Sequence, residues 1–316
     1  MPNIVILWLL RGLLAALLLF GSEIALWRSP ITRGLPEWLL LAAGYLALSA
    51  ALLDWLARYR VRDLFAGLLL AGVYGLAHSL YLSPFAMTEL NMFYRLVTLA
   101  LGAHTLLGGA ALLLWLGLLH GRVGRGAWLG AVLVGFGWGV WVRWGAGDVT
   151  LPAMLMAGAV VVIAAGVLWA ASHRAWVSPP DVRLSAPSWL IVVAVLGGHF
   201  AVQSDFANID VLFIVISGVL LAYCWLILWF QKSERGGTLL DGMGERQGLA
   251  AGRVLIAALV FLAAGAGGYL FPFAPGGQQR EALIGVFSAF GLVWLPTVSL
   301  VLGIRTYRRQ TRQKQL

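Results

Sequence analysis

The chain has 316 residues, of which 61% are hydrophobic and only 11% charged. A soluble domain runs nearer about 45–50% apolar and about 25% charged; the excess has no soluble core to fill, and the expected solvent is lipid. The net charge of +9 does not point to nucleic acid, because the basic residues sit in loops between apolar runs and in a C-terminal tail, where membrane topology accounts for them. The single cysteine, Cys224, excludes an intramolecular disulfide and the cysteine-rich metal sites.

The fold class is an all-α polytopic membrane bundle, a single transmembrane domain over 1–316, with ten spans near 4–27, 37–57, 62–82, 92–119, 127–145, 150–171, 187–205, 210–230, 250–271 and 283–304. Each run is long enough at about 1.5 Å per residue for a hydrocarbon layer of about 30 Å. The first span, opening without a basic segment or a small-residue cleavage site, reads as retained rather than as a signal peptide. Its run Leu10-Arg-Gly-Leu-Leu-Ala-Ala-Leu-Leu-Leu-Phe resembles the opening helix of ten-span membrane acyltransferases, which carry a histidine about one span-length further on; Gly21-Ser22-Glu23 stands there instead, so that chemistry is not expected.

Alternate loops differ in charge. Arg58, Arg60, Arg62, Arg122, Arg125, Arg174, Arg183, Lys232, Arg235, Arg246, Arg253, Arg305, Arg308, Arg309, Arg312 and Lys314 fall on one side. Arg28, Arg33, Arg95, Arg143 and Arg280 fall on the other, and Arg11 lies within a span. Sixteen against five puts both termini in the cytoplasm. The expected location is a bacterial inner membrane, with membrane lipids as partners. The basic tail over 305–316 is expected against anionic headgroups, each basic residue contributing about 1 kcal/mol near the surface. Several tryptophans near span ends, Trp144 and Trp169 among them, read as interfacial anchors, and Trp138, Trp141 and Trp144 as a stripe in the fifth span. Glycines in the fourth, fifth and ninth spans suit close helix contacts, and those of the fifth suggest a thin or irregular helix. The loop from Gln231 to about Gly248 reads as a mobile connection, and Pro296 as a kink. Ten spans divide into five and five, an inverted plan because five is odd, but the two halves show no sequence match.

Ionisable residues inside spans are costly and mark candidate sites. Tyr74, His78 and Tyr81 share one helical face of the third span; Asn91, Arg95, Thr98, Gly102 and Thr105 share one of the fourth; His199 and Gln203 share one of the seventh, followed by Asp205, Asn208 and Asp210. With Glu23 and Glu89, these collect on the outer side. His104 lies deeper and, nine residues from Arg95, falls about half a turn off its face in an α-helix. Arg11 reaches the inner surface or pairs with Asp54. No cofactor is required; the histidines raise haem b as the alternative, with His78 and His199 matched in depth.

No catalytic motif is recognised, so whether the protein is an enzyme stays open. The leading expectation is a secondary transporter or permease of a small solute, its site in the outer half lined by Tyr74, His78, Tyr81, Arg95, His199 and Gln203. Ten spans in this length is the size of small exporters of the drug/metabolite type. The alternatives are a membrane-embedded enzyme acting on a lipid or lipid-linked substrate and a non-catalytic membrane subunit.

Overall fold

The computed structural model describes residues 4–28, 30–83, 91–121, 125–145, 149–172, 179–203, 210–231, 237–241, 251–271 and 277–313. They form ten helical rods and, among the described residues, no strand. Seven rods are α-helical throughout: α2 (Leu35–Arg58), α5 (Arg125–Gly145), α6 (Leu151–Ser172), α7 (Ala186–Gln203), α8 (Val211–Gln231), α9 (Ala251–Leu270) and α10 (Gly277–Gln313). The other three change winding along their length. The α-helix α1 (Ile4–Leu19) becomes π-helical as π1 (Phe20–Ala25), α3 (Leu64–Ala77) becomes π2 (His78–Leu82), and the fourth rod begins as π3 (Tyr94–His104) before becoming α4 (Thr105–Leu119). Nine helices among the described residues, all but α5, are long and apolar enough to cross a membrane.

The chain forms two compact units, each assembled from separated stretches. The first comprises Met1–Ser49, Leu113–Asp181 and Gly242–Leu283. Its tightest seam joins α5 to α9 through reciprocal glycines. A Cβ on Gly135 would overlap the Phe261 carbonyl, one on Gly139 the Gly265 carbonyl, and one on Gly268 the Phe136 carbonyl. The glycine-dense fifth helix is therefore regular, its glycines spent on backbone contact. Trp138 stands in this seam, stacked on Phe261 at 5.4 Å and 12°, with Gly158 of α6 directly against its six-membered ring. Its indole N–H donates to the Ile24 carbonyl of π1 at 3.1 Å, and that of Trp141 to Leu26 at 3.0 Å. Trp115 ties α4 to α1 by donating to Leu10 at 3.0 Å. Trp138, Trp115 and Trp169 are buried. Of the tryptophans read as interfacial anchors, Trp169 is an internal donor, reaching the Leu118 carbonyl. A dry, unpaired N–H would cost roughly 1–3 kcal/mol, and a carbonyl partner removes that cost.

The second unit comprises Ala50–Leu112, Val182–Asp241 and Ile284–Leu316. Asp63 caps α3, accepting from Ala66 N–H at 2.9 Å, and its other oxygen accepts from Arg305 of α10 at 2.6 Å. Gly291 of α10 sits against the Val97 carbonyl of π3, and Gly102 of π3 against the Phe287 carbonyl of α10. Trp294 lies over Gly72 of α3 and donates to the Leu101 carbonyl of π3 at 2.8 Å. Residues 237–241 of the expected mobile loop are docked: Leu240 is fully buried and Leu239 N–H donates to Val61 at 2.8 Å. α10 runs unbroken through Pro296 and on to Gln313, so the described part of the tail is a helical extension of the last span.

Gly139→Leu, which places a side chain into the Gly265 carbonyl, should destabilise the protein by about 1–3 kcal/mol. Gly137→Leu, on the same helix with nothing within 4 Å of its Cβ position, should leave stability nearly unchanged. Unfolding of the two variants in mixed detergent micelles, followed by circular dichroism, measures the difference.

Candidate functional site

The three π-helical segments decide where the polar residues go. A π-helix closes its hydrogen bonds five residues back instead of four, taking about 4.4 residues per turn. In an α-helix nine residues from Arg95 to His104 turn through about two and a half turns and end on opposite faces. In π3 they complete about two turns and return to nearly the same face. The sequence-based separation of His104 from Arg95 fails for this reason.

The consequence is a stacked pair of imidazoles. His78, at the start of π2, and His104, at the end of π3, lie with ring centroids 4.0 Å apart and planes tilted by 35°. Tyr74, one α-turn before His78, continues the row at 5.7 Å. All three residues are at most 1% exposed. Close approach of the two rods makes the stack feasible: a Cβ on Gly75 would overlap the Ala100 carbonyl of π3. That carbonyl is not left bare, since Thr105 Oγ1 donates to it at 3.0 Å. Tyr74 in turn packs on Gly108 of α4, where a Cβ would enter its ring. Two positive charges about 4 Å apart repel by about 4 kcal/mol at an effective dielectric of about 20, so this spacing disfavours charge on both rings at once.

The other predicted residues of this unit have partners of their own. Arg95 donates from Nη1 to Asp210 at 3.0 Å and lies over the Phe213 ring at 4.4 Å. Its Nε is buried and has no hydrogen-bond partner among the described residues. The Asp210 side chain is 32% exposed and that of Arg95 8%, which makes this a half-buried ion pair at the entrance to α8. Of the acidic segment, Asp205 and Asn208 lie outside the described residues, as does Glu89. Thr98 meets Ser288 of α10 at 2.7 Å. His199 is buried, and its Nδ1–H donates to the Tyr81 carbonyl of π2 at 3.1 Å. Tyr81 meets Phe200 edge-on. Gln203 and Tyr81 are half-buried. Ser79 of π2 and Ser217 of α8 are fully buried, and neither hydroxyl has a hydrogen-bond partner among the described residues. π2 is therefore the common neighbour, carrying His78 and Ser79 and receiving His199.

The remaining predicted residues belong elsewhere. Glu23 and Arg11 are in the first unit. Glu23, buried in π1, accepts from Arg33 at 2.5 Å and from the Tyr45 hydroxyl at 2.8 Å. The Arg11 guanidinium lies over the Trp8 ring at 4.7 Å. Asp54 has another set of partners than the one expected from the sequence. Its two oxygens accept from Arg58 at 2.8 and 2.9 Å, from Leu184 N–H at 2.7 Å and from Trp189 at 3.3 Å. That carboxylate holds the 182–185 segment on the end of α2, a structural task that the position of Asp54 near the end of the second span did not reveal. Among the described residues there is no group of three or more His, Cys, Asp or Glu placed to hold a metal ion.

No family model, characterised protein or solved structure matches the chain.

The Arg95–Asp210 contact should show a coupling of about 1.5–3 kcal/mol in a double-mutant cycle built from Arg95→Gln and Asp210→Asn. The Arg305–Asp63 pair, whose side chains are 42% and 43% exposed, should show less than about 1 kcal/mol in the same assay. Reversible unfolding in micelles at low and high salt measures both, with only the second pair losing its coupling at high salt.

Proposed function

We propose that the protein is a secondary transporter or permease of a small solute, built as two inverted groups of five spans, with its polar site in the second unit. The observation that carries this reading is a pattern of contacts repeating at an interval of five rods. Helix α5 carries Gly135-x-x-Trp138 and α10 carries Gly291-x-x-Trp294. Gly135 rests on a carbonyl of the ninth rod and Gly291 on one of the fourth. In both seams the partner answers with a glycine of its own, Gly268 on Phe136 and Gly102 on Phe287. Each seam also holds its tryptophan against a glycine, Gly158 of the sixth rod or Gly72 of the third, contacts that do not follow the five-rod interval. Two other seams, α1 with α6 and α3 with α8, join rods five apart and map onto themselves. Five is odd, so a repeat of five spans is inverted across the membrane, the plan of many secondary transporters.

The site supports the same reading. Buried histidines and an arginine in helices of membrane-crossing composition are expensive in lipid, and a stacked imidazole pair is not needed to close a seam that glycines and indoles already close. A lipid-active enzyme would favour a histidine oriented by a carboxylate; here His199 Nδ1–H is turned to a backbone carbonyl. The arginine bias supports an outer position for π2 and for the start of π3 in a bacterial inner membrane.

The test uses the full chain in proteoliposomes on a solid-supported membrane, challenged with amino acids, carboxylates, sugars, amines and nucleosides in turn. At least one class should evoke a saturable current, reduced tenfold or more in Arg95→Gln. A panel that leaves the wild-type protein silent, without stabilising it against heat, counts against transport.

A further inference from the structure

We propose that the stacked pair His78–His104 is a proton-binding site, and that the proton is the coupling ion of the transporter inferred above; the coupling rests on that reading, the proton site does not. Imidazole is the side chain whose protonation changes most readily near neutral pH. Here two imidazoles are laid face to face inside the unit, where a ring that gains a proton meets the π-face of its neighbour instead of water. Loading makes one N–H bond on one ring with a proton taken from water. Unloading breaks that bond and returns the proton to water, so no oxidant or co-substrate is needed.

The neighbouring elements carry charged and titratable groups of their own. From α3, Tyr74 offers its ring to His78. From π3, Arg95 carries a permanent charge, already met by Asp210 at the start of α8. From α7, His199 is held by the carbonyl of Tyr81, the titratable residue of π2. Further along α8 comes the buried Cys224. From α10, the residues against π3 are Phe287, Ser288 and Trp294, which do not titrate near neutrality. The Arg95–Asp210 pair sums to zero, so a proton on the histidines adds one unit of positive charge to the interior. A charge of that kind, bound on one side and released on the other, is what couples a carrier to a proton gradient.

The ring contact also depends on winding. His104 meets His78 because π3 returns it to the face of Arg95; the same residues wound as an α-helix would carry it about half a turn away. A change of register in π3 would separate the rings and alter the affinity for the proton, which links loading to the shape of the fourth rod.

The experiment is nitrogen NMR of the ¹⁵N-histidine-labelled full chain in phosphatidylethanolamine–phosphatidylglycerol nanodiscs, titrated from about pH 8 to about pH 5, the range in which imidazole changes charge. The chain has five histidines, and His78→Gln and His104→Gln identify the two signals. The expected result is uptake of one proton by the pair, with both ring signals moving together in the wild type and the remaining signal titrating at a different pH in either variant. Two rings that stay silent over the whole range, or that titrate independently and ignore each other's replacement, overturn the proposal; the wild-type titration alone decides this if a variant does not fold. Silent rings together with substrate-evoked currents overturn the proton site while leaving transport standing. A titrating pair in a protein that the whole solute panel leaves inert supports the proton site and overturns its role in coupling.

Discussion

Backbone polar groups cannot be left bare where there is no water, and this constraint governs most of what is particular in this fold. Regular α-helices meet it by themselves. The three π-helical segments do not, because changing from four-residue to five-residue spacing leaves carbonyls without their usual donor. The sequence supplies donors from elsewhere: Trp138 for Ile24, Trp294 for Leu101 and the Thr105 hydroxyl for Ala100. Each donor must come close, and the glycines at 72, 75, 102, 158 and 291 provide the room. Indole, glycine and π-winding are thus one device. Removing any one of them leaves the others either clashing or unsatisfied.

The same device is what gathers the polar residues. From π3, Arg95 meets the start of α8 and His104 meets His78 at the start of the π-helical end of the third rod. The arrangement tolerates buried imidazoles because each is turned to something specific: His78 to His104, His199 to a carbonyl. Asp54 shows the other way of keeping a buried charge, with four donors crowded on one carboxylate. That site is closed and structural.

The helical architecture was legible in the sequence because lipid-spanning runs need only length and apolarity, and all ten expected spans correspond to rods. The grouping of Tyr74 with His78 was legible too, since residues four apart share a face while the helix is α. Beyond that the reading depended on a winding that the sequence does not announce. Tyr94–His104 has ordinary helix formers, and nothing in their order separates this π-helical stretch from an α-helix. The α-helical rotation used to place His104 relative to Arg95 therefore does not apply there. Trp169 was misread for a related reason: position near a span end is what interfacial anchors and buried donors have in common, and only the location of the acceptor carbonyls separates them. The Gly-x-x-Trp correspondence between α5 and α10 escaped because four residues in Leu-, Ala- and Gly-rich helices carry little information until their contacts are known.

Helix α10 has a mechanical consequence. Its 37 residues make a rod about 55 Å long at about 1.5 Å per residue, while the hydrocarbon layer is about 30 Å thick. The stretch apolar enough to cross runs Glu281–Arg305, and the helix continues from there to Gln313, steadied where Arg305 meets Asp63 and lies over Phe65. About 12 Å of helix lies beyond that contact at about 1.5 Å per residue, so a tilt of a few degrees there moves its described end by about 1 Å or less. The described part of the tail thus keeps the direction of the last span instead of hanging from it as a separate segment.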